Sequence, residues 1–275
     1  RTALHRALAS RAEEVGVELH WGTAVRGLTD DGDVETDEGR LAGRWLVAAD
    51  GLNSPLRRWA GLERPPAGHR RYGVRRHFRL EPWSDKVEVW WADGVEAYVT
   101  PTGAREVGVA MLWSGEKSRF DRLLKRFPGL ARRLAGAEPV SRDKGAGPLD
   151  RRPKRVWSDR LLLVGDAAGY VDAITGEGLD LAFHQAFALA RAVARDDPRS
   201  YARFCRRLQD ALETMAEIGA VLGVQGLEFM PANPLEELVW IPNLAAFQLL
   251  FLRCFDALFS REYVEPISKL RNHQN

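Results

Sequence analysis

Leu161-Leu162-Leu163-Val164 runs without a polar residue into Gly165-Asp166-Ala167-Ala168-Gly169, and Thr175-Gly176-Glu177-Gly178-Leu179 follows before a segment striped with apolar residues. That order predicts a buried strand, a turn of small residues and a helix. At the carboxyl end of a parallel strand a ligand can approach the backbone. Gly165 admits a tight turn there, and Asp166 offers an acceptor to a sugar-like hydroxyl. Gly176 and Gly178 open the helix, whose unpaired N–H groups and positive dipole stabilise negative charge on a bound ring or phosphate. A lone Gly-Asp pair is more often a simple capped connection. The length and order of this run favour the ligand reading.

A second turn of the same kind is Ala49-Asp50-Gly51-Leu52-Asn53-Ser54-Pro55-Leu56-Arg57, directly after Trp45-Leu46-Val47-Ala48. Asp-Gly is a common turn dipeptide, and Ser54 before Pro55 can cap the next helix. Neither feature says much alone. Two such turns, each after a buried strand, are much less expected by chance than either alone.

The elements that must position these turns follow from periodicity. Leu4, Leu8, Ala12 and Val15 predict an amphipathic helix over 2–15, and Val17, Leu19 and Trp21 alternate as a strand. An Asp-rich turn at 30–33 leads to Val34, and Trp45 to Ala49 reads as a strand buried on both faces. Strand-like stretches at Tyr72 to Leu80, Lys86 to Trp91, Glu96 to Thr100 and Glu106 to Trp113 predict an antiparallel insert, with a helix at 116–127 after it. Leu179, Ala182, Phe183, Ala186, Phe187 and Ala190 form a helical stripe, and the chain from Ser200 onward also reads helical. The layout is a split α/β domain interrupted by a β-rich one.

Within the insert, Arg76 shares a face with Tyr72, Val74 and Phe78, which could point it toward a ligand. The favoured expectation is instead ion pairing of these basic side chains with Glu81, Glu88 or Glu96 on neighbouring strands. Trp90, Trp91 and Trp113 are expected in the core rather than around a pocket, and His184 is expected to pack or cap. No catalytic base is identified.

The 275 residues are 45% hydrophobic, enough for a buried core, and the 40 Lys and Arg against 38 Asp and Glu are scattered, which gives no sign of nucleic-acid binding. Cys205 and Cys254 form neither a disulfide framework nor a zinc site, so a reducing cytoplasm is expected and no metal is. Leu238 to Leu252 carries Pro242, Asn243 and Gln248 and is too short to span a bilayer. The apolar stretch from Leu235 to Phe259 is expected to be a buried packing helix, with weak peripheral membrane contact as the lesser alternative. The first residues, Arg1-Thr2-Ala3-Leu4, read like interior sequence.

With both turns considered, the chain resembles the FAD-dependent oxidoreductases that include aromatic hydroxylases and geranylgeranyl reductases and share the para-hydroxybenzoate hydroxylase fold. The matching residues are Asp50-Gly51 with Ser54 and Arg57, and Gly165-Asp166 with Gly176-Glu177-Gly178. The resemblance covers about residues 1 to 195. It implies a partial FAD-binding Rossmann-like domain interrupted by an antiparallel β substrate domain, of α/β (α+β) class, with C-terminal helices. The expected boundaries are 1–66 and 151–195 for the two parts of the FAD domain, 67–150 for the substrate domain and 196–275 for the helical region.

By the same resemblance Asp166, after Gly165, binds the ribityl chain of FAD, and the amides of Gly178 and Leu179, following Gly176, face the pyrimidine edge of the ring. Arg1 sits beside the pyrophosphate, Val25 contacts adenine through its backbone, and Asp50 with Gly51 holds the pyrophosphate region. The implied reaction uses NADH or NADPH and either hydroxylates a small organic substrate or reduces a carbon–carbon double bond of an isoprenoid, the Gly-Glu-Gly spelling being closer to the reductases. There are two departures. The family's Gly-x-Gly-x-x-Gly turn is absent, since Gly145-Ala146-Gly147 ends in Pro148-Leu149-Asp150, and Ala173 stands where a proline is usual. A chain that begins partway through the fold and holds FAD weakly is therefore expected, with a non-catalytic hydrophobic-ligand-binding protein or inactive fragment as the alternative.

Overall fold

The computed structural model describes residues 2–65, 71–170 and 178–221, with side chains as far as residue 210. Arg1, Gly176 and the apolar stretch from Leu235 lie outside the described residues. The chain opens with helix α1 (Thr2–Glu14), followed by strands β1 (Val25–Leu28), β2 (Val34–Thr36) and β3 (Gly39–Leu41) in a small antiparallel sheet. The turn between β1 and β2 is closed by Thr29, whose hydroxyl accepts from the Asp33 N–H at 3.0 Å.

The helix expected over 2–15 forms as α1, and none of its residues is buried. One expectation fails here. Val17 to Trp21 is not a strand, and Val17 and Trp21 are exposed. A strand exists only when its N–H and C=O groups find a neighbour, and no described segment pairs with this one.

Strand β4 (Leu46–Ala48) is followed by helix α2 (Pro55–Trp59), which Ser54 caps by accepting from the Arg57 N–H at 2.9 Å. β4 is not buried on both faces as expected. Ala48 is fully buried, but Val47, which points to the other face, is 40% exposed.

Strands β5 (Arg71–Arg79), β6 (Glu88–Ala92), β7 (Val95–Gly103) and β8 (Glu106–Ser114) build the expected antiparallel insert. Helices α3 (Phe120–Leu124) and α4 (Pro128–Arg133) cover one face of it, and β9 (Glu138–Pro139) and β10 (Lys144–Ala146) pair with β5. The sheet order is β10-β5-β8-β7-β6. The covered face buries Tyr72, Val74, Phe78, Val107, Val109 and Met111 against Phe120, Leu123, Phe127 and Leu130. Such side chains contribute roughly 1.5–3 kcal/mol each when fully withdrawn from water. Trp90 and Trp113 belong to this core, whereas Trp91 lies on the opposite face. One helix at 116–127 was expected. Instead Pro128, which has no N–H to donate, starts a second helix at its first position.

Arg76 points to the helical side. It stacks 4.3 Å from the Phe120 ring and pairs with Asp121 at 2.7 Å and Asp143 at 2.6 Å. Its partners are therefore two aspartates from outside the strands, and it does not face a ligand cavity. Both carboxylates hold the Arg76 guanidinium above its usual pKa, Asp143 more strongly.

The chain then forms β11 (Trp157–Ser158) and β12 (Leu161–Leu163), a tight 3-10 turn over Gly165–Ala168, and helices α5 (Gly178–Ala194) and α6 (Pro198–Val221). β12 is buried at every residue, as its apolar run predicts. It lies between β11 and β4, and its pairing with β4 is parallel, with Leu161 opposite Leu46 and Leu163 opposite Ala48. The predicted stripe on α5 turns its bulky residues outward, while Ala182 faces the β12 turn. Leu179, Phe183 and Phe187 are exposed, while Ala188, Leu189 and Ala192 pack against Tyr201, Phe204 and Leu208 of α6. Helical spacing of apolar residues marks a face without saying what covers it.

Candidate functional site

The parallel pairing of β4 and β12 brings together two turns more than a hundred residues apart in sequence. Leu46 N–H donates to the Arg160 carbonyl at 2.9 Å and Val164 N–H to the Ala48 carbonyl at 3.0 Å, so both strands end at the same level. Asp50-Gly51 and Gly165-Asp166 consequently leave the sheet side by side, at the carboxyl edge where open α/β sheets take their ligands.

Arg57 joins the two turns. Its side chain is almost wholly buried, and its guanidinium donates to the carbonyls of Ala167 at 2.9 Å and Leu52 at 2.7 Å and to the Glu63 carboxylate at 2.5 Å. Glu63 also lies 3.5 Å from Arg151. The turn after β12 is held from two further sides. Gly165 N–H donates to Gln185 Oε1 of α5 at 2.6 Å, and the Tyr201 hydroxyl of α6 donates to the Leu163 carbonyl at 2.6 Å. Gly165 has φ +61°, a conformation in which a side chain would be strained.

The sequence-predicted residues fall into three groups. Gly165, Asp166 and Gly178 line one cavity of about 230 Å³ between the β12 turn, α5, α6 and the connection before β11. Asp50 and Gly51 stand at the neighbouring turn, where Asp50 Oδ2 accepts from the Leu56 N–H at 3.1 Å and so helps cap α2 beside Ser54, a role expected from sequence only for Ser54. Val25, at the start of β1, and Leu179, on the first turn of α5, are exposed and do not line the cavity. His184 caps locally, its Nδ1 lying 3.0 Å from the Asp180 carbonyl.

Gln185 and Tyr201 escaped the sequence reading, and Arg57 was seen only as part of a motif. Gln185 lies two helical turns beyond Gly178, which places both on one face of α5, a spacing that could have marked it. Tyr201 carried no such signal. Among the described residues no cluster of His, Cys, Asp and Glu could hold a metal ion, and no helix is long and apolar enough to cross a membrane.

The sequence model of the FAD binding domain matches residues 1–144. The chain belongs to that family. FAD is the cofactor the family name implies. Over 65% of its length the chain is 30% identical to digeranylgeranylglycerophospholipid reductase 1 of Methanothermobacter thermautotrophicus, covering 49% of that protein. It is 29% identical over 87% of its length to digeranylgeranylglycerophospholipid reductase 1 of Methanopyrus kandleri, covering 69% of that relative. The chain thus spans about half to two thirds of the length of the curated relatives it matches. In fold, this FAD binding domain chain superposes on the flavin-dependent halogenase CmlS with a TM-score of 0.71 at 18% identity, over 95% of this chain and 53% of that one. The mixed α/β architecture with antiparallel sheets is therefore that of flavin-dependent enzymes of this class.

Proposed function

We propose that this chain forms the flavin-holding core of an FAD-dependent oxidoreductase that uses NADH or NADPH to reduce a carbon–carbon double bond in an isoprenoid-type substrate. The observation that carries the flavin reading is the junction of the two turns through Arg57 at the carboxyl edge of a parallel strand pair. The names of the reductase relatives support the choice of reaction and of substrate class. The residues present fit the ribityl chain and ring edge of FAD. Asp166 supplies a hydroxyl acceptor, Gly165 lines the cavity without a side chain to fill it, and α5 begins at the cavity with Gly178.

When bound, FAD supplies the hydride chemistry. Asp166 would orient the ribityl hydroxyls, and the first turn of α5 would favour negative charge on a group bound beside it. Asp180 in that same turn weakens this field. Arg57, Gln185 and Tyr201 hold the β12 turn in place, so the acceptor and the helix end need not reorganise during reaction. Asp50 and Gly51 would lie toward the pyrophosphate, with Val25 near the adenine. The antiparallel sheet would bound the substrate space, and the protein would act in the cytoplasm.

The test is turnover under anaerobic conditions with NADH or NADPH and a polyprenyl substrate. A saturated product formed without oxygen supports the reading. Oxygen uptake matched to a hydroxylated product would replace it with a hydroxylase.

A further inference from the structure

Glu96 of β7 is a carboxylate only 3% exposed, a depth at which charged side chains are rare. Its neighbours Val95 and Ala97 belong to the core under α3 and α4, so Glu96 points to the opposite face of the sheet. Arg71 of β5 pairs with Glu96 Oε1, and the Tyr98 hydroxyl donates to Oε2 at 3.3 Å. A carboxylate offers about four acceptor sites, so each oxygen keeps one to give. Directly opposite Glu96 on β6 stands Trp91, whose Nε1 is buried and has no hydrogen-bond partner among the described residues. Side chains at opposite positions start about 4.5–5.5 Å apart at Cβ. Leu112, opposite Glu96 on β8, and Val89 on β6 are buried on this same face yet join none of the hydrophobic cores of the described residues.

This end of the face adjoins the cavity assigned to the flavin. Leu149 N–H donates to the Arg71 carbonyl at 2.8 Å, and Arg151, two residues further on, lines that cavity. Two residues of chain span at most about 7 Å. We propose that Glu96 and Trp91 are specificity-determining residues that together take a hydroxyl group of the substrate, which makes the isoprenoid an alcohol. The inference rests on the reductase reading given above. A hydroxyl donates one hydrogen bond and accepts others, so it serves a carboxylate and an indole N–H at once. An ammonium suits Glu96 but accepts nothing from Trp91, and a phosphate meets Glu96 as a like charge. Leu112 and Val89 supply the apolar surround for the hydrocarbon next to the hydroxyl.

The experiment measures equilibrium dialysis of farnesol and of its methyl ether, which keeps the oxygen acceptor and loses the donor, against the full chain. The wild type is expected to bind farnesol about tenfold more tightly than the ether, the contribution of one hydrogen bond to a charged acceptor. Glu96→Gln should lose most of that preference with little change for the ether. Trp91→Phe, which leaves the Arg71–Glu96 pair intact, should weaken both ligands and keep the ratio between them. A merely structural role for Glu96 would shift both ligands alike. Equal binding of the two ligands by the wild type, binding of neither, or an undiminished preference in Glu96→Gln would overturn the proposal. Anaerobic turnover separates it from the reading beneath it. Saturation of both compounds at equal kcat/KM would retain the reductase and overturn the role of Glu96, whereas a Glu96-dependent farnesol preference without saturated product would uphold that role and overturn the reductase.

Discussion

The Arg57 guanidinium lies 2.9 Å from the Ala167 carbonyl oxygen, so one buried side chain ties the turn after β4 to the turn after β12. Removing one partner from a buried charged network leaves the others desolvated and unpaired, at a cost of about 3–5 kcal/mol. Arg57→Met should lower the urea midpoint accordingly without altering the slope of the transition. Arg57→Lys should restore only part, because lysine cannot reach Ala167, Leu52 and Glu63 together. A midpoint unchanged in Arg57→Met would show that the junction is incidental.

Asp33 gives a pH-dependent counterpart. The Arg160 guanidinium at 2.6 Å, with Arg40 also at 2.6 Å, holds its carboxyl below the usual carboxylate range. A depressed pKa in the folded state means that the stabilisation is complete above the ordinary value of 3.8 and is lost as pH falls through the lower folded value. Asp33→Asn should therefore melt lower than wild type at pH 7, and the two curves should converge as the pH drops below about 4. Melting curves that stay parallel down to acid pH would contradict this role.

Burial pushes the Cys205 thiol up to about 12, and its partner Tyr201 has a hydroxyl that is itself raised by burial. The thiolate is the reactive form, so Cys205 should alkylate about a thousandfold more slowly at pH 8 than an ordinary thiol. Because the folded pKa is raised, the thiol's stabilising contribution is whole below about pH 9 and fades toward pH 12. Iodoacetamide labelling read by peptide mass spectrometry separates Cys205 from Cys254. Prompt labelling of Cys205 in the native chain would show that the α5–α6 packing is looser than described.

Much of this architecture was legible because it depends on local pattern. The alternation in Arg71–Arg79 and Glu106–Ser114 marks strands with one buried face, and the unbroken apolar run at Leu161 marks a strand buried on both. The neighbouring positions of the Asp50 and Asp166 turns follow from the resemblance to the FAD-dependent oxidoreductases rather than from either turn alone. What could not be read depends on partners. Val17 to Trp21 alternates correctly but has no described neighbour, and Leu179, Phe183 and Phe187 form a proper stripe on the open side of α5. Arg76 was assigned a face correctly, but its aspartates come from a helix and a loop that no period relates to β5. Gln185 and Tyr201 act through single hydrogen bonds to backbone, which composition and spacing do not encode.

The central claim is that the two joined turns hold one flavin, and the most direct test is fluorescence titration of FAD with the wild-type chain and with Asp166→Ala. The account predicts saturable quenching for the wild type and about tenfold weaker binding for the variant, the loss of roughly one good hydrogen bond to a charged group. Quenching of equal strength in both proteins would contradict it.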